Sequence, residues 1–455
     1  MAEAETEHYT LAKDNTDLAH IPGSFGPPII GHTIALVRDL HGTISKQQQQ
    51  YGAVSRFGLA GFKGVLLLGP DLSQEVLRDP QRNFSAEMGY RRSLGRYYLG
   101  SLLLRDGEEH RFQRRMMQTA FKAEAMRGYA ERMGAMMASA IDSWRYTPEM
   151  KGFPAIKDIL LDSAAQIFVG VDPGEAAAKN MNRAFTDVAN GMLGIILKEL
   201  PGTRHAKAKK QERFLQSFFN HLIDERRQGS ASDVFSYLCR ERTEDGAFFA
   251  KADISVQMSF LLFAAHDTTT SALSHLLYYL GQDMETQQRL RDEVMALDKS
   301  LLEYSDLEKM PLAEVALKEA LRLHPSVMMM QRRSIKACEL GGYHIPENTL
   351  IFLAPQHTHR MADYWDAPDK FDLDRWLAPR EEHKRHSFSF VGFGGGVHKC
   401  IGMHFALMQS KIFLHQFLRR YRFKLADNFS SKMQTVPLPK PVDNLPVVLV
   451  PIKAV

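Results

Sequence analysis

GFGGGVHKCIGMHF, residues Gly392 to Phe405, sets a single cysteine between a run of glycines and the start of an apolar, helix-forming segment. A thiol surrounded by this much bare backbone has several readings. A phosphate cradle needs G-x-x-x-x-G-K-[ST] between a strand and a helix. Here Gly396 is followed by Val397, His398, Lys399 and Cys400, and no hydroxyl stands in place. A dinucleotide turn would need a preceding strand and an acid about twenty residues on, and neither fits well. A catalytic nucleophile would want a histidine base in reach. His398 is close in sequence, but that alone does not make a dyad.

A metal ligand is the third option. One thiolate can hold a haem iron axially. A flat macrocycle lying on backbone would demand glycines, and N–H groups near the sulfur would tune its basicity. A helix N-terminus also lowers a thiol pKa, so Cys400 is expected to be a thiolate. A plain buried cysteine in a Gly-rich turn remains the bland alternative.

The totals narrow the class. The 455 residues carry a net charge of only +4, too small to argue for nucleic acid. Cys239, Cys338 and Cys400 are widely spaced and form no paired motif. That excludes a disulfide framework and a structural zinc site, and fits a reducing, cytoplasmic setting. The acidic, polar N-terminus reads as a flexible tail over residues 1–20, not as a signal peptide. No stretch reaches 18 uninterrupted apolar residues, so no transmembrane anchor is expected. With 27 Phe and 22 Met, a roomy apolar pocket is plausible, although a Met-rich core would account for the same counts.

Along the chain, VSRFGLAGFKGVLLLG (Val54 to Gly69) reads as two short strands around a turn. From Gly107 to Asp298 the pattern is mostly helical. Asp253 to Gln282 is apolar on nearly every side, as expected of a helix running through a core. IKACELGGYHIPENTLIFL alternates like a hairpin, with its turn expected at Pro346-Glu347-Asn348. A last helix runs to about Tyr421, and short strands with proline corners end the chain. There is no internal repeat and no linker. One large domain, residues 21–455, mainly α with small β-sheets, is the simplest account.

FGGGVHKCIG, Phe393 to Gly402, resembles the haem-binding signature of the cytochrome P-450 superfamily, Phe-x-x-Gly-x-x-x-Cys-x-Gly. All four fixed positions match: Phe393, Gly396, Cys400 and Gly402. The resemblance implies a single-domain fold with haem b held between the long central helix and the Cys-loop helix. Cys400 would be the iron ligand, with Phe393, Gly394 and Ala264 also at the cofactor. AAHDTTTS, Ala264 to Ser271, is unusual by itself. Three threonines compete for helix carbonyls and can open the helix, and an aspartate in an apolar helix is costly without a task. A polar notch satisfied by water would also explain it. The stretch resembles the family's oxygen-activation motif, which implies that Asp267 feeds protons and Thr268 hydrogen-bonds bound dioxygen. Ala265 stands where glycine is common.

KEALRLHP puts Glu319 and Arg322 three apart on one helix face, by itself an everyday surface pair. It is similar to the family's Glu-x-x-Arg, and FDLDRW supplies Arg375, which implies a buried ion network holding the Cys loop. For the haem propionates the resemblance implies His110 and Arg114 of HRFQRR, Arg332 and His398. Histidine stands at 110 where the family often has tryptophan.

The implied activity is monooxygenation with dioxygen as co-substrate. The chain ends at residue 455, so electrons are expected from a separate ferredoxin or flavodoxin-type donor with its NAD(P)H reductase. Lys399, Lys411, Arg419 and Arg420 are candidates for its docking patch. Phe260, Phe263 and Ala264, with Met328, Met329 and Met330 of SVMMM, suggest an apolar, Met-rich pocket for a sterol, terpenoid, retinoid or fatty-acid-like substrate. MGYRRSLGRYYLG and NGMLGIIL are expected to roof it. The lead-in IPGSFGPPIIGH and the late PKPVDNLPV are similar to the retinoid- and sterol-oxidising branch. Sterol demethylases usually carry histidine where Asp267 stands, which argues against that subgroup. Arg91, Arg92 or Arg96 either binds a substrate carboxylate or is solvated. A monomer is expected. The rivals are a thiolate-haem isomerase or peroxygenase needing no reductase, which the intact Asp267–Thr268 pair disfavours, and a haem protein that binds ligand without turnover.

Overall fold

Lys251–Leu280 form one unbroken helix of 30 residues, about 45 Å long at 1.5 Å per residue. Most of its faces are buried. Its threonines do not open it. Thr268 donates its hydroxyl to the Ala264 carbonyl at 2.7 Å, Thr269 to Ala265 at 3.0 Å and Thr270 to His266 at 2.7 Å. Each hydroxyl is thus satisfied one turn back without displacing the helical hydrogen bonds. Asp253 in the first turn takes an ion pair from Arg105 at 2.6 Å, and its negative charge suits that end of the helix dipole.

The computed structural model describes residues 14–146, 149–172, 175–192, 198–435 and 438–452. Around the central helix pack Gly152–Ala164, Arg204–Gln228 and Pro311–Leu323. The Cys-loop helix, Met403–Arg420, packs on Ala123–Asp142 and on Pro311–Leu323. Side chains of all these helices merge into one apolar core. The fold is mainly helical, with small sheets, as the sequence pattern indicates.

The largest sheet has five strands in the order Val54–Leu59, Phe62–Leu67, Leu350–Leu353, Met330–Ser334, Phe84–Ser85. Only the pairing of Phe62–Leu67 with Leu350–Leu353 is parallel. This sheet carries Arg332 in its Met330–Ser334 strand. A second apolar cluster lies beneath it. One turn differs from the expectation. Cys338–Leu340 and Tyr343–Ile345 form the hairpin, and its turn is Gly341-Gly342, both at positive φ (56° and 82°). Two glycines supply those angles without strain. The Pro346–Asn348 turn instead leads into the large sheet, where Leu350–Leu353 pairs with Met330–Ser334.

Residues 1–13 lie outside the described residues. Within the stretch read as a tail, the Asp14 carboxylate accepts from Arg92 at 2.9 Å and from Arg333 at 2.7 Å. Leu18 and Ile21 are fully buried. Among the described residues no helix is long and apolar enough to cross a membrane.

Several histidines are buried in or beside helices, and burial favours their neutral form. His275, His357 and His415 are lowered to about 4, and His359 to about 3, in each case chiefly by desolvation. The unfolded chain binds these protons below about 6.5, whereas the folded protein does so only near 3 to 4. Between those limits the unfolded state carries more protons, so stability rises with pH. Denaturant titrations are expected to show full stability above pH 6.5 and a progressive loss down to pH 4. Each histidine contributes up to about 1.4 kcal/mol per pH unit.

Candidate active site

The glycines before Cys400 are required first by the loop's own packing. A Cβ on Gly396 would lie 1.7 Å from the Leu77 carbonyl oxygen, and Gly396 sits at φ 62°. A Cβ on Gly395 would lie 2.6 Å from the Phe388 ring. Helix Pro70–Arg78 therefore presses directly on the loop. Gly394, at φ 72°, turns the chain, and the Cys400 N–H closes the loop on the Phe393 carbonyl at 2.9 Å. Packing within the protein, rather than room for a macrocycle, thus demands Gly395 and Gly396.

Cys400 is exposed by surface area, yet burial is the main cause raising its thiol pKa. The two facts are compatible if its free surface faces a cleft walled by protein. The expected thiolate is not produced by the chain alone. The Gly402 N–H, Arg114 and Lys399 pull the pKa down but do not overcome desolvation.

Beside the thiol lies a group of cationic and donor side chains. The His110 and His398 rings are 4.0 Å apart. His398 approaches Asp106 at 3.4 Å. The Asp106 carboxylate already accepts from Ser85 and from the Ala86 and Glu87 N–H groups. Burial alone would raise its pKa, but bonds from His398 and Ser85 hold it below the usual range. Arg332, only 6% exposed, donates to nothing but the Gln331 carbonyl among the described residues. Arg114 is half-buried and has no acidic partner among them. His110 is buried with Nε2 unpartnered, and burial lowers its pKa to about 3. Two guanidinium groups and an orphan imidazole nitrogen around one engaged acid suit a ligand that brings carboxylates of its own. Haem brings two propionates, so the residues present fit it.

The central helix carries a second set of expected site residues. Phe260, Phe263, Ala264, Asp267 and Thr268 are only half-buried, while Leu261, Leu262, His266, Thr269 and Thr270 are buried. The spacing of the open positions, three to four residues, is one helical stripe. Asp267 pairs with Lys157 at 2.8 Å, and His266 Nε2 lies 3.4 Å from the same carboxylate oxygen. His266 is fixed through Nδ1 on the Leu262 carbonyl at 2.6 Å. Ser326 donates to the Thr268 carbonyl at 2.8 Å.

The family model described as Cytochrome P450 matches residues 22–445. The chain belongs to the cytochrome P450 family. It is 34% identical to a putative cytochrome P450 136 of Mycobacterium tuberculosis over 439 residues, 95% of this chain and 89% of that protein. It is 29% identical to a putative cytochrome P450 120 of Synechocystis over 94% of this chain and 96% of that one. A solved structure described as retinoic acid bound cyanobacterial CYP120A1 superposes with a TM-score of 0.86 at 28% identity, covering 95% of this chain and 99% of that chain. Membership makes the protein an oxidoreductase of the monooxygenase type. Haem with a cysteine thiolate ligand and dioxygen come with that class, as do a lipophilic substrate and a redox partner.

The cytochrome P450 ion network is fully enclosed. Glu319, Arg322 and Arg375 are each 0% exposed. Arg322 donates to both Glu319 oxygens at 2.8 and 2.9 Å, and Arg375 Nε donates to Oε1 at 3.0 Å. Trp376 Nε1 and the Asp372 N–H complete the Glu319 carboxylate. The remaining guanidinium protons go to the carbonyls of His359, Pro368, Asp366, Ala367 and Lys370. A further acid, Glu382, is equally buried and accepts from Arg375 at 2.5 Å and from Arg380. Sequence reading missed Glu382, Lys157 and Asp106, because no local pattern marks partners that only the fold brings together.

Other expected residues are placed elsewhere. Met330 packs in the core beneath the sheet with Leu18, Val54 and Val65, not with Phe260 and Phe263. Met328 and Met329 are half-buried against the Leu36–Phe57–Phe352 cluster, while Val327 is 42% exposed. Lys411 is buried, donating to Glu314 and to the Leu307 carbonyl, and Arg420 donates to Gln416. Arg419 is half-buried, so Lys399 is the one residue of the expected docking patch that is exposed. Arg92 is paired with Asp14 and Arg91 with Glu87. In the roof, residues 193–197 of NGMLGIIL lie outside the described residues.

Substitution of Glu382 by alanine is expected to destabilise the fold by about 3 kcal/mol or more in urea titrations, because it strands the Arg375 charge without its second acid. A loss under about 1 kcal/mol would show that Glu382 is peripheral to the network.

Proposed function

We propose that this chain, as a single domain over residues 21–455, hydroxylates a lipophilic, terpenoid- or retinoid-sized molecule, with Cys400 as the ligand of a haem b. The observation that carries the reading is the geometry around Cys400. The thiol is accessible and lies beside Arg114, which has no acidic partner among the described residues, near Arg332, whose one protein acceptor among them is the Gln331 carbonyl, and near His110, whose Nε2 is unpartnered. Arg114, Arg332, His110 and His398 would hold the propionates, and Phe393, Gly394 and Ala264 would border the macrocycle. Bound haem supplies dioxygen activation and oxygen transfer to carbon.

The chain's own residues govern protons and position. Thr268 donates to the Ala264 carbonyl, which leaves its hydroxyl oxygen free to accept a hydrogen bond in the cleft. Asp267 is held at the cleft edge by Lys157 and is the group from which protons reach Thr268. Lys157 is a quarter exposed, so this pair joins solvent to the cleft. Phe260, Phe263 and the half-exposed Val327 give the substrate apolar walls. The retinoic-acid-bound neighbour supports a substrate of that size. Electrons would come from a ferredoxin or flavodoxin-type protein docking beside Lys399, near Arg78. Cys239, Cys338 and Cys400 are all free, which suits the reducing setting of the cytoplasm, and a monomer suffices for this reading.

Cys400→Ala is expected to abolish the thiolate signature of the reduced carbon monoxide complex. If the variant retained that spectrum, the ligand assignment would be wrong. Asp267→Asn is expected to leave that spectrum unchanged and to slow product formation about 100-fold, within the range for loss of one proton-transfer group. An unchanged rate would remove Asp267 from the proton path.

A further inference from the structure

The C-terminal end of the central helix carries a separate cavity. Tyr278 and Tyr279 stand ten and eleven positions beyond Thr268, or roughly 15 Å along the helix. They border a cavity of about 250 Å³ that Asp283, His324, Phe371 and Met433 also line. Pockets for drug-sized molecules hold about 300–1,000 Å³, so this one suits a smaller ligand.

Its aromatic walls brace one another. Tyr279 stacks on Phe371 with centroids 4.6 Å apart and planes 8° from parallel. The Tyr279 hydroxyl bonds His324 Nε2 at 2.9 Å. The Tyr278 ring lies 5.2 Å from Tyr279 at 78°, so the two tyrosine rings stand nearly perpendicular. Met433 adds a polarisable thioether. Rings grouped in this way attract a cation through their negative faces.

Charge decides what these walls suit. Asp283 is the one acid among the described lining residues, and no lysine or arginine lines the cavity with it. Its oxygens accept from the Thr286 N–H at 3.0 Å and from the Thr286 hydroxyl at 2.6 Å. A carboxylate accepts about four hydrogen bonds, so capacity remains. No cation pairs with Asp283 among the described residues. Burial holds His324 neutral, well below its ordinary pKa, and lowers His275, stacked on it at 4.4 Å, to about 4. The cations whose fields reach both Tyr279 and His324 are Arg360 and Arg322. They are answered by Asp369 at 3.1 Å and Glu319 at 2.8 Å.

We propose that this cavity binds a small organic ammonium ion, a quaternary or alkylated amine, with its alkyl groups against the rings and its charge facing Asp283. A neutral molecule of the same shape would leave Asp283 without a counter-ion. A cation without alkyl groups would leave the rings without apolar contact.

The test is calorimetric titration of the haem-loaded protein with choline and with its uncharged isostere, in which carbon replaces the nitrogen. The wild type is expected to bind choline at least about 10-fold more tightly than the isostere. Asp283→Asn keeps an oxygen for the helix cap. It is expected to weaken choline about 3- to 10-fold and to leave the isostere unchanged. Vesicles of phosphatidylcholine distinguish the source of the ammonium group. Co-sedimentation that Asp283→Asn abolishes would assign it to a lipid headgroup, and choline binding without co-sedimentation to a soluble amine. Equal affinity for choline and its isostere, choline affinity untouched by Asp283→Asn, or binding of neither choline nor vesicles would overturn the assignment.

Discussion

The bidentate grip of Arg322 on Glu319 is the contact on which the site depends. It is wholly buried, and a buried ion pair is favourable only when every remaining donor and acceptor is met. Here they are met, by Arg375, Trp376 and a ring of backbone carbonyls. Those carbonyls belong to the irregular segment between His359 and Lys370, which has little regular structure of its own. The ion pair therefore acts as a template on which that segment is wound. His359 passes the constraint on. Its Nδ1 donates to the Arg322 carbonyl at 3.2 Å, and its Nε2 accepts the Val391 N–H at 2.9 Å. Val391 directly precedes the glycine loop, so the network and Cys400 share one chain of hydrogen bonds. A protonated His359 could not accept from Val391, which is why its neutrality has structural weight.

Two layers of constraint then meet at the loop. From one side the network fixes Val391. From the other, helix Pro70–Arg78 presses on Gly395 and Gly396. The loop has little freedom left, and the thiol is aimed by packing before any ligand contributes. The same rigidity holds on the opposite wall. The back-bonded threonines keep the central helix continuous, so the stripe from Phe260 to Thr268 is one unbroken surface.

The sequence carried much of this, unevenly. The central helix was legible because an apolar run of that length has few alternatives, and the Cys loop because its residues are adjacent in the chain. Gly341-Gly342 lost the hairpin turn to Pro346-Glu347-Asn348 on paper because both are good turn sequences, and only the sheet register distinguishes them. Met330, expected at the pocket, lies in the apolar cluster of the large sheet, and the sequence does not decide its face. A strand alternates its faces, and from sequence alone the face nearer the cleft cannot be told from the face over the sheet core. Lys157, Glu382 and Asp106 were out of reach, since each acts on a partner far away in sequence or carries no local signal. Lys411 shows the converse error, because a lysine on a helix reads as surface until Glu314 and the Leu307 carbonyl are seen to enclose it.

Polar side chains at the cleft divide into those the protein satisfies and those it leaves for a ligand. Asp106 and Asp267 are both engaged, by backbone N–H groups and by Lys157. Arg114, Arg332 and His110 are not matched by protein acceptors in the same way. Every acid here is paired, and the unspent capacity is cationic or hydrogen-donating. Cys400 adds to this pattern, since burial outweighs the pull of the Gly402 N–H, Arg114 and Lys399 and raises its thiol pKa. A group that presents a metal to the thiol and carboxylates to the guanidinium groups satisfies both demands at once. Binding it stabilises the fold, because it pairs charges that the folded chain alone keeps buried at a cost.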